Sequence, residues 1–176
     1  MLEDHKSFKV NTVGSRLSIT KKATDLAYIA GFLDGDGSLM LQIKKRSDSP
    51  RGWRFMATVC FYQDSRHDQP LYWLRQSLGI GYLSKRKDGM TELRINGHEQ
   101  CHKILAKLYP FIKFKKRQTE YLLKATSILT KKRLAELSEK DRRNILSCII
   151  GIQERNYKSA QRQTGARMKK ILGLTP

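Results

Sequence analysis

Two segments of the sequence combine residue types and spacings that could do chemistry, and the first is Asp34-Gly-Asp-Gly37. Its two carboxylates stand two residues apart, directly after an apolar stretch. Carboxylate oxygens are preferred ligands of hard divalent cations such as Mg²⁺, so the segment is a candidate metal site. Alternatively, the two glycines only allow the chain to turn sharply at this point.

The second segment, His98-Glu-Gln-Cys-His102, fits the H-E-x-x-H pattern. In that pattern two imidazoles on one helix face bind zinc and the glutamate acts as a base. Glu120 would then be the third ligand of a zinc protease. However, the segment follows an Asn-Gly turn, Pro110 interrupts the path to Glu120, and peptide hydrolysis has no evident use for a large positive charge. We therefore favour the carboxylate segment.

The net charge indicates the kind of partner. The 176 residues include 35 Lys or Arg and 16 Asp or Glu, which gives a formal charge of +19. So large an excess on a small protein opposes compaction and favours a polyanionic partner, for which nucleic acid is the best candidate. The alternatives are a merely solubilising basic surface or an anionic membrane, but no basic amphipathic helix with an apolar face stands out.

Composition and length bound the class of protein. With 39% hydrophobic residues, the chain has enough apolar content for one packed domain. No stretch approaches the roughly 20 apolar residues of a membrane span, and the start lacks the apolar run of a secretory signal. Cys60, Cys101 and Cys148 are odd in number and widely spaced, which favours free thiols. We expect a soluble intracellular protein with no membrane partner.

Hydrophobic periodicity predicts the elements that position the candidate residues. An apolar helix begins near Thr24 and ends at Asp34-Gly-Asp-Gly37. Alternation of apolar and polar residues then predicts strands over 38–44, 54–63, 82–86 and 91–96, with a helix between the second and third. Further helices follow, including 116–129 and 139–156. This order predicts an α+β fold in which helices cover one face of a four-stranded antiparallel sheet.

The other face of that sheet should carry hydrogen-bond donors and acceptors. Arginine and glutamine side chains can make paired contacts with guanine and adenine edges in the major groove, so this face is a candidate DNA surface. The alternative is an ordinary solvated sheet face. The predicted members are Gln42, Lys44, Arg54, Ser84, Arg86, Glu92 and Arg94.

The segment from Ile29 to Gly37 resembles the signature nonapeptide of the LAGLIDADG homing endonucleases. Identical residues stand at five positions, Ile29, Phe32 and Leu33 are apolar replacements, and Gly35 takes the alanine position. The segments 78–82 and 109–118 are similar to the single-motif branch of that family. The resemblance implies an αββαββα endonuclease domain at 23–156, preceded by an arm at 1–22 and followed by a basic tail at 157–176.

The resemblance also implies an activity and residue roles. Members make metal-dependent double-strand breaks in long pseudo-palindromic DNA targets. By resemblance, Asp36 is the catalytic metal ligand with help from the Gly35 carbonyl, Gln63 orders the attacking water, and Lys115 is the basic residue near the active site. A second basic role falls on His67 or its neighbour Arg66. Lys116 is a candidate phosphate contact.

A single copy of the motif predicts a homodimer, because the partner helix must come from a second chain. Small residues let two such helices approach closely, so we expect Ala30, Gly31 and Asp34 at the interface. The two Asp36 carboxylates would then repel each other unless a divalent cation, Mg²⁺ by expectation, lies between them. The alternatives within this fold are an RNA maturase or a DNA-binding protein without cleavage. An organellar location, in mitochondrion or chloroplast, is compatible with the family.

Overall fold

The computed structural model describes residues 21–47, 51–156 and 163–174. In this part of the chain it contains six α-helices, four strands and two short 3-10 turns. The elements are α1 Lys21–Asp36, β1 Gly37–Lys45, β2 Trp53–Asp64, α2 Gln69–Leu78, β3 Tyr82–Lys85, β4 Met90–Asn96, α3 His98–Leu108, α4 Lys116–Leu129, α5 Glu139–Arg155 and α6 Gly165–Leu172.

The four strands form one antiparallel sheet in the order β1-β2-β4-β3. One face is apolar and lies against the helices, since Leu41, Val59 and Leu93 are each no more than 1% exposed. Successive residues of a strand point to opposite faces, so the strand neighbours of these buried residues point away from the helices. The predicted α+β class and the one-sided helical cover are both confirmed.

Helix α1 runs directly into β1, and this junction sets the position of the candidate metal residues. Ile29, Ala30 and Leu33 pack into the core, with exposures of 1%, 0% and 0%. A Cβ added at Gly37 would lie 2.5–2.7 Å from three atoms of Leu33, two of them backbone. Only glycine permits this contact, which places Asp36 at the foot of the helix and at the start of the sheet.

The C-terminal helices extend the same core. Ser138 and Asp141 form the capping box at the start of α5. Helix α6 contacts α5 and buries Met168 and Leu172. The described part of the predicted tail at 157–176 is therefore packed on the domain.

The predicted domain boundaries stay predictions. Residues 1–20 of the predicted arm and residues 157–162 and 175–176 of the predicted tail lie outside the described residues, while α1 starts at Lys21 rather than near Thr24. The three cysteines are free and buried. None of the helices in the described ranges has the length and apolar character needed to span a bilayer.

Candidate active site and nucleic-acid interface

Asp34 anchors a distant loop to the foot of α1. Its Oδ2 accepts hydrogen bonds from the backbone N–H groups of Lys113 and Phe114, at 2.6 and 3.1 Å. Its Oδ1 accepts from the N–H of Lys115 at 2.9 Å. The residue is 7% exposed. Because both oxygens are occupied by this loop, Asp34 has a structural role and is not free to bind a metal.

The loop delivers the side chain of Lys115 to the end of the same helix. Its ammonium donates hydrogen bonds to the carbonyl oxygens of Asp34 and of Gly35, the latter at 3.3 Å. Partial burial lowers the pKa of Lys115, while the negative charges of Asp34 and Asp36 act in the opposite direction. A cation is thus held beside the carbonyl that the sequence proposes as a metal ligand.

The sequence-predicted catalytic residues converge on one groove. Gly35, Asp36, Gln63 and Lys115 all line an opening of about 730 Å³ that continues along β1 past Gln42 and Lys44. Asp36 is exposed. The Gln63 Oε1 accepts from the N–H of Asp64 at 2.9 Å, which fixes the side chain and leaves its amide N–H groups as donors.

The residues at this site fit a hard divalent cation. One protomer offers an exposed carboxylate at Asp36 and a backbone carbonyl at Gly35, which are oxygen ligands of the type that Mg²⁺ prefers. Within the described residues, no three His, Cys, Asp or Glu side chains gather to hold a metal. A metal at this position would therefore need further oxygens from outside the protomer, such as a second Asp36, phosphate or water.

The two candidates for the second basic role lie in the short turn after β2. The Arg66 guanidinium binds Asp64 through Nε and Nη2, at 3.0 and 2.7 Å, and its side chain is 82% exposed. Hydrogen bonds from the Arg66 side chain and backbone hold the pKa of Asp64 well below its usual range. His67 is exposed. Arg66 is thus paired with Asp64, whose carboxylate lines the groove.

Six of the seven predicted DNA-facing residues lie on the same face of the sheet, and the seventh, Arg86, directly follows β3 and lies 4.0 Å from Glu92 on that face. Cross-strand neighbours share a face, and the register pairs Lys44 with Arg54 and Ser84 with Glu92. Lys44, Arg54 and Arg86 are exposed, whereas Gln42, Ser84 and Arg94 are half-buried.

Glu92 and Lys116 differ from the expectation of direct DNA contact. Glu92 is only 6% exposed, because Arg94 covers it and binds both of its oxygens at 2.9 and 3.0 Å. The Lys116 ammonium lies 3.8 Å from the centroid of the Tyr109 ring and donates to the Tyr109 carbonyl. Both side chains are therefore turned toward the protein itself.

The exposed side of α1 carries a stripe of small residues that includes the predicted Gly31 but not Ala30 or Asp34. Ala30 and Asp34 are 0% and 7% exposed within one protomer, so they face its own core, and their assignment to a dimer interface stays a prediction. One helical position turns the side chain by about 100°, and this places the neighbouring Gly31 and Gly35 on the exposed side. A Cβ added at either glycine would meet nothing within 4 Å in the protomer.

Two large aromatic side chains, on α1 and in the loop anchored to its end, are exposed. Tyr28 is 61% exposed and makes an edge contact with Trp73 of α2, with ring centroids 5.5 Å apart. Phe114, in the loop that Asp34 anchors, is 85% exposed. Sequence periodicity gives no sign of Phe114, because its exposure depends on how the loop folds against α1.

The H-E-x-x-H residues have other partners. The His98 Nε2 lies 3.2 Å from the Phe55 carbonyl, and the His102 Nδ1 lies 3.0 Å from the Thr126 hydroxyl. Glu99 pairs with Lys103, and Glu120 accepts from the Tyr109 hydroxyl. The two imidazoles are thus engaged by Phe55 of β2 and Thr126 of α4, and the contacts do not support a zinc site.

The rim of the groove includes residues that sequence reasoning missed. Asn156 donates to the Leu39 carbonyl at 2.9 Å, and Gln163 donates to the Ile43 carbonyl at 3.3 Å. These contacts cover the free edge of β1, which would otherwise present unpaired carbonyls. No local signal could reveal them, since the partners are 117 and 120 residues apart.

Comparison with known proteins places the chain among endonucleases. A family model described as LAGLIDADG endonuclease matches residues 29–125. The DNA endonuclease I-CvuI of Chlorella vulgaris is 31% identical over 97 residues, which make up 55% of this chain and 60% of that protein. The DNA endonuclease I-CreI of Chlamydomonas reinhardtii is 31% identical over 99 residues, or 56% and 60%. The chain thus matches about 60% of the length of these relatives.

Solved structures share the fold. The structure of I-CvuI in complex with its target in the presence of calcium superposes with a TM-score of 0.73 at 22% identity, covering 88% of this chain and 98% of that one. An archaeal intron-encoded homing endonuclease, I-Vdi141I, complexed with DNA gives a TM-score of 0.70 at 19% identity, covering 87% and 97%. These superpositions establish that the arrangement of helices and sheet is the same.

Proposed function

The chain belongs to the LAGLIDADG endonuclease family, and from that premise we propose that it is a homing endonuclease. It makes a site-specific double-strand break in a long, pseudo-palindromic DNA target. The observation that carries this proposal is the convergence of Asp36, Gly35, Gln63 and Lys115 on one groove that continues along the polar face of the sheet. A binding protein without cleavage has no need for that convergence.

The functional form is a homodimer built on α1. The stripe of Gly31 and Gly35 offers a backbone surface that a second α1 helix can approach closely. The exposed rings of Tyr28, on the same helix, and Phe114, in the loop that Asp34 anchors, would lose contact with water if the dimer covered them. Asp36 lies at the end of the stripe, so a two-fold axis along it brings the two carboxylates together.

Double-stranded DNA lies along the polar face of the sheet, one half-site per protomer. The net charge of +19 supports phosphate binding, and the relatives I-CvuI and I-Vdi141I have been solved with DNA. Exposed Lys44 and Arg54 are suited to phosphate contacts. A DNA substrate implies an intracellular location, for which we propose an organelle.

The chemistry is hydrolysis of a phosphodiester with divalent metal, and we propose Mg²⁺ held by the Asp36 carboxylate and the Gly35 carbonyl. When bound, the cation supplies positive charge beside the scissile phosphate. Lys115 is a second positive charge at the same point, already directed by two carbonyls, and it offsets negative charge that grows on the phosphate. The Gln63 amide is a donor that can orient the attacking water.

The test is Mg²⁺-dependent cleavage of a duplex library with a randomised segment. We expect the wild-type protein to release cleaved products that share a pseudo-palindromic sequence. Loss of a residue that only hydrogen-bonds a metal ligand typically lowers activity roughly 10- to 100-fold. Asp36→Asn removes a proposed ligand itself, so its cleavage rate should fall by more than that, while DNA binding persists. Asp25→Asn, three turns up the same helix, is the matched control and should cut normally.

Two outcomes would contradict the proposal. An Asp36→Asn protein that still cuts would remove Asp36 from the reaction. Wild-type protein that selects a sequence but never cuts it in Mg²⁺ would instead support a maturase or a DNA-binding protein of the same fold.

A further inference from the structure

Three polar side chains form a hydrogen-bonded chain between the start of β4 and the turn that follows β2. The Thr91 hydroxyl donates to Asp68 Oδ2 at 2.9 Å. The Ser65 hydroxyl lies 2.8 Å from the same Thr91 oxygen. Because the single Thr91 proton is directed to Asp68, Ser65 is the donor in this second contact. We call Ser65, Asp68 and Thr91 the Thr91 clasp.

Two members of the clasp are buried. Thr91 is 0% exposed and Asp68 is 7% exposed. A buried polar group costs free energy unless it is hydrogen-bonded, and replacing a buried polar pair by apolar residues of similar volume is often neutral or stabilising. Stability alone therefore does not account for the clasp.

The clasp joins β4 to the segment that carries Gln63. Thr91 is the cross-strand neighbour of Gln63 in the ladder between β2 and β4. Ser65 and Asp68 follow Gln63 by two and five residues. The Ser65 N–H also donates to the Gly89 carbonyl at 2.9 Å. The segment after β2 is thus held to the beginning of β4 through both its backbone and its side chains.

A single backbone N–H group connects the clasp to the groove. Asp64 lies between Gln63 and Ser65, and its N–H donates to the Gln63 Oε1 at 2.9 Å. Gln63 lines the groove together with Asp36. A shift of the backbone at Ser65 would move this N–H, and with it the Gln63 amide relative to Asp36.

We propose that the Thr91 clasp positions the Gln63 amide for the attacking water. The assignment rests on the proposed function, since it supports the water-ordering role proposed there for Gln63. None of the three clasp side chains lines the groove. Ser65, Asp68 and Thr91 are therefore positioning residues, which act on the reaction through Gln63.

The first experiment measures single-turnover cleavage of a duplex selected from the library, at saturating protein and Mg²⁺. Thr91→Val removes the hydroxyl and keeps a β-branched strand residue. We expect it to slow cleavage roughly 10- to 100-fold, because a small displacement of a positioned group costs that much. Thr91→Ser keeps the hydroxyl and should restore most of the rate. DNA affinity, measured with Asp36→Asn added to each variant, should be unchanged.

The matched control is Thr126→Val. Thr126 is also 0% exposed, and its hydroxyl donates to the Leu122 carbonyl at 2.7 Å. It lies on α4 and does not line the groove. We expect this control to lower stability in urea melts without slowing cleavage, so it separates a positioning effect from a general loosening of the core.

A second experiment tests whether the clasp acts through Gln63. Gln63→Ala alone should slow cleavage. Adding Thr91→Val to it should have little further effect, because the group that the clasp positions is already gone, whereas two independent effects would multiply. If Thr91→Val fails to fold, Ser65→Ala replaces it in both experiments, since it breaks the chain at a half-buried position.

The outcomes separate the two proposals. Wild-type protein that cuts no sequence in Mg²⁺ would overturn the proposed function, and this assignment with it. Wild-type protein that cuts, together with a folded clasp variant that cuts equally fast, would overturn this assignment alone. Equal slowing by Thr126→Val, or independent effects of Gln63→Ala and the clasp variant, would do the same, because each identifies a structural role.

Discussion

Replacing Asp34 with asparagine tests whether this residue is the link between α1 and the loop that carries Lys115. In the wild-type protein, Oδ2 accepts two backbone N–H groups and Oδ1 accepts a third. An asparagine oxygen can keep the first two bonds, but its NH₂ group then faces the Lys115 N–H, so two donors oppose each other.

The expected loss follows from these contacts. A hydrogen bond to a charged group is worth about 1.5–3 kcal/mol, and a buried donor left without a partner costs about 1–3 kcal/mol. Because these effects overlap, we expect Asp34→Asn to lower the free energy of unfolding by about 3 kcal/mol. For a chain of 176 residues this corresponds to a Tm lowered by about 6–12 °C.

Urea denaturation followed by circular dichroism measures this difference. The control is Asp64→Asn, since Asp64 also accepts three hydrogen bonds, all from Arg66, but in contact with solvent. We expect a much smaller loss there because water replaces the exposed contacts. If Asp34→Asn cost less than about 1 kcal/mol, or no more than the control, the anchoring role would be refuted.

Two further predictions concern the helix stripe and a half-buried histidine. Gly31→Leu should leave the protomer folded but prevent dimerisation, as measured by light scattering, because its side chain has room only without a partner helix. A Gly31→Leu protein that remained dimeric would contradict the proposed interface. Gly37→Ala should instead unfold the protomer, since its Cβ would overlap Leu33. Burial lowers the pKa of His98. As the pH is lowered from about 7.5 to about 5.5, the unfolded chain therefore takes up a proton more readily than the folded protein does, so the free energy of unfolding should decrease as the pH is lowered. His98→Gln should reduce this pH dependence in urea melts, and an unchanged slope would show that His98 is not its source.

Local patterns in the sequence were enough to predict the architecture, and the family resemblance added a proposed set of active-site residues. Alternation along β1 and β2 predicted the faces of the strands, and the apolar segment ending in Asp34-Gly-Asp-Gly37 located the foot of α1. The resemblance then proposed Asp36, Gln63 and Lys115, which the fold brings to one groove. These features depend on neighbours within a few positions, and a sequence displays such neighbours directly.

Exposure depended on contacts that the sequence does not display. Ala30 and Gly31 are adjacent small residues in the same motif, yet one is buried in the protomer and the other faces outward. Glu92 has the strand position of a DNA contact, but Arg94 and Arg86 cover it. Asp34 binds a loop about 80 residues away, which no local pattern predicts. Periodicity determines which way a side chain points, whereas the distant segments packed there decide whether it reaches solvent, a partner or the protein itself.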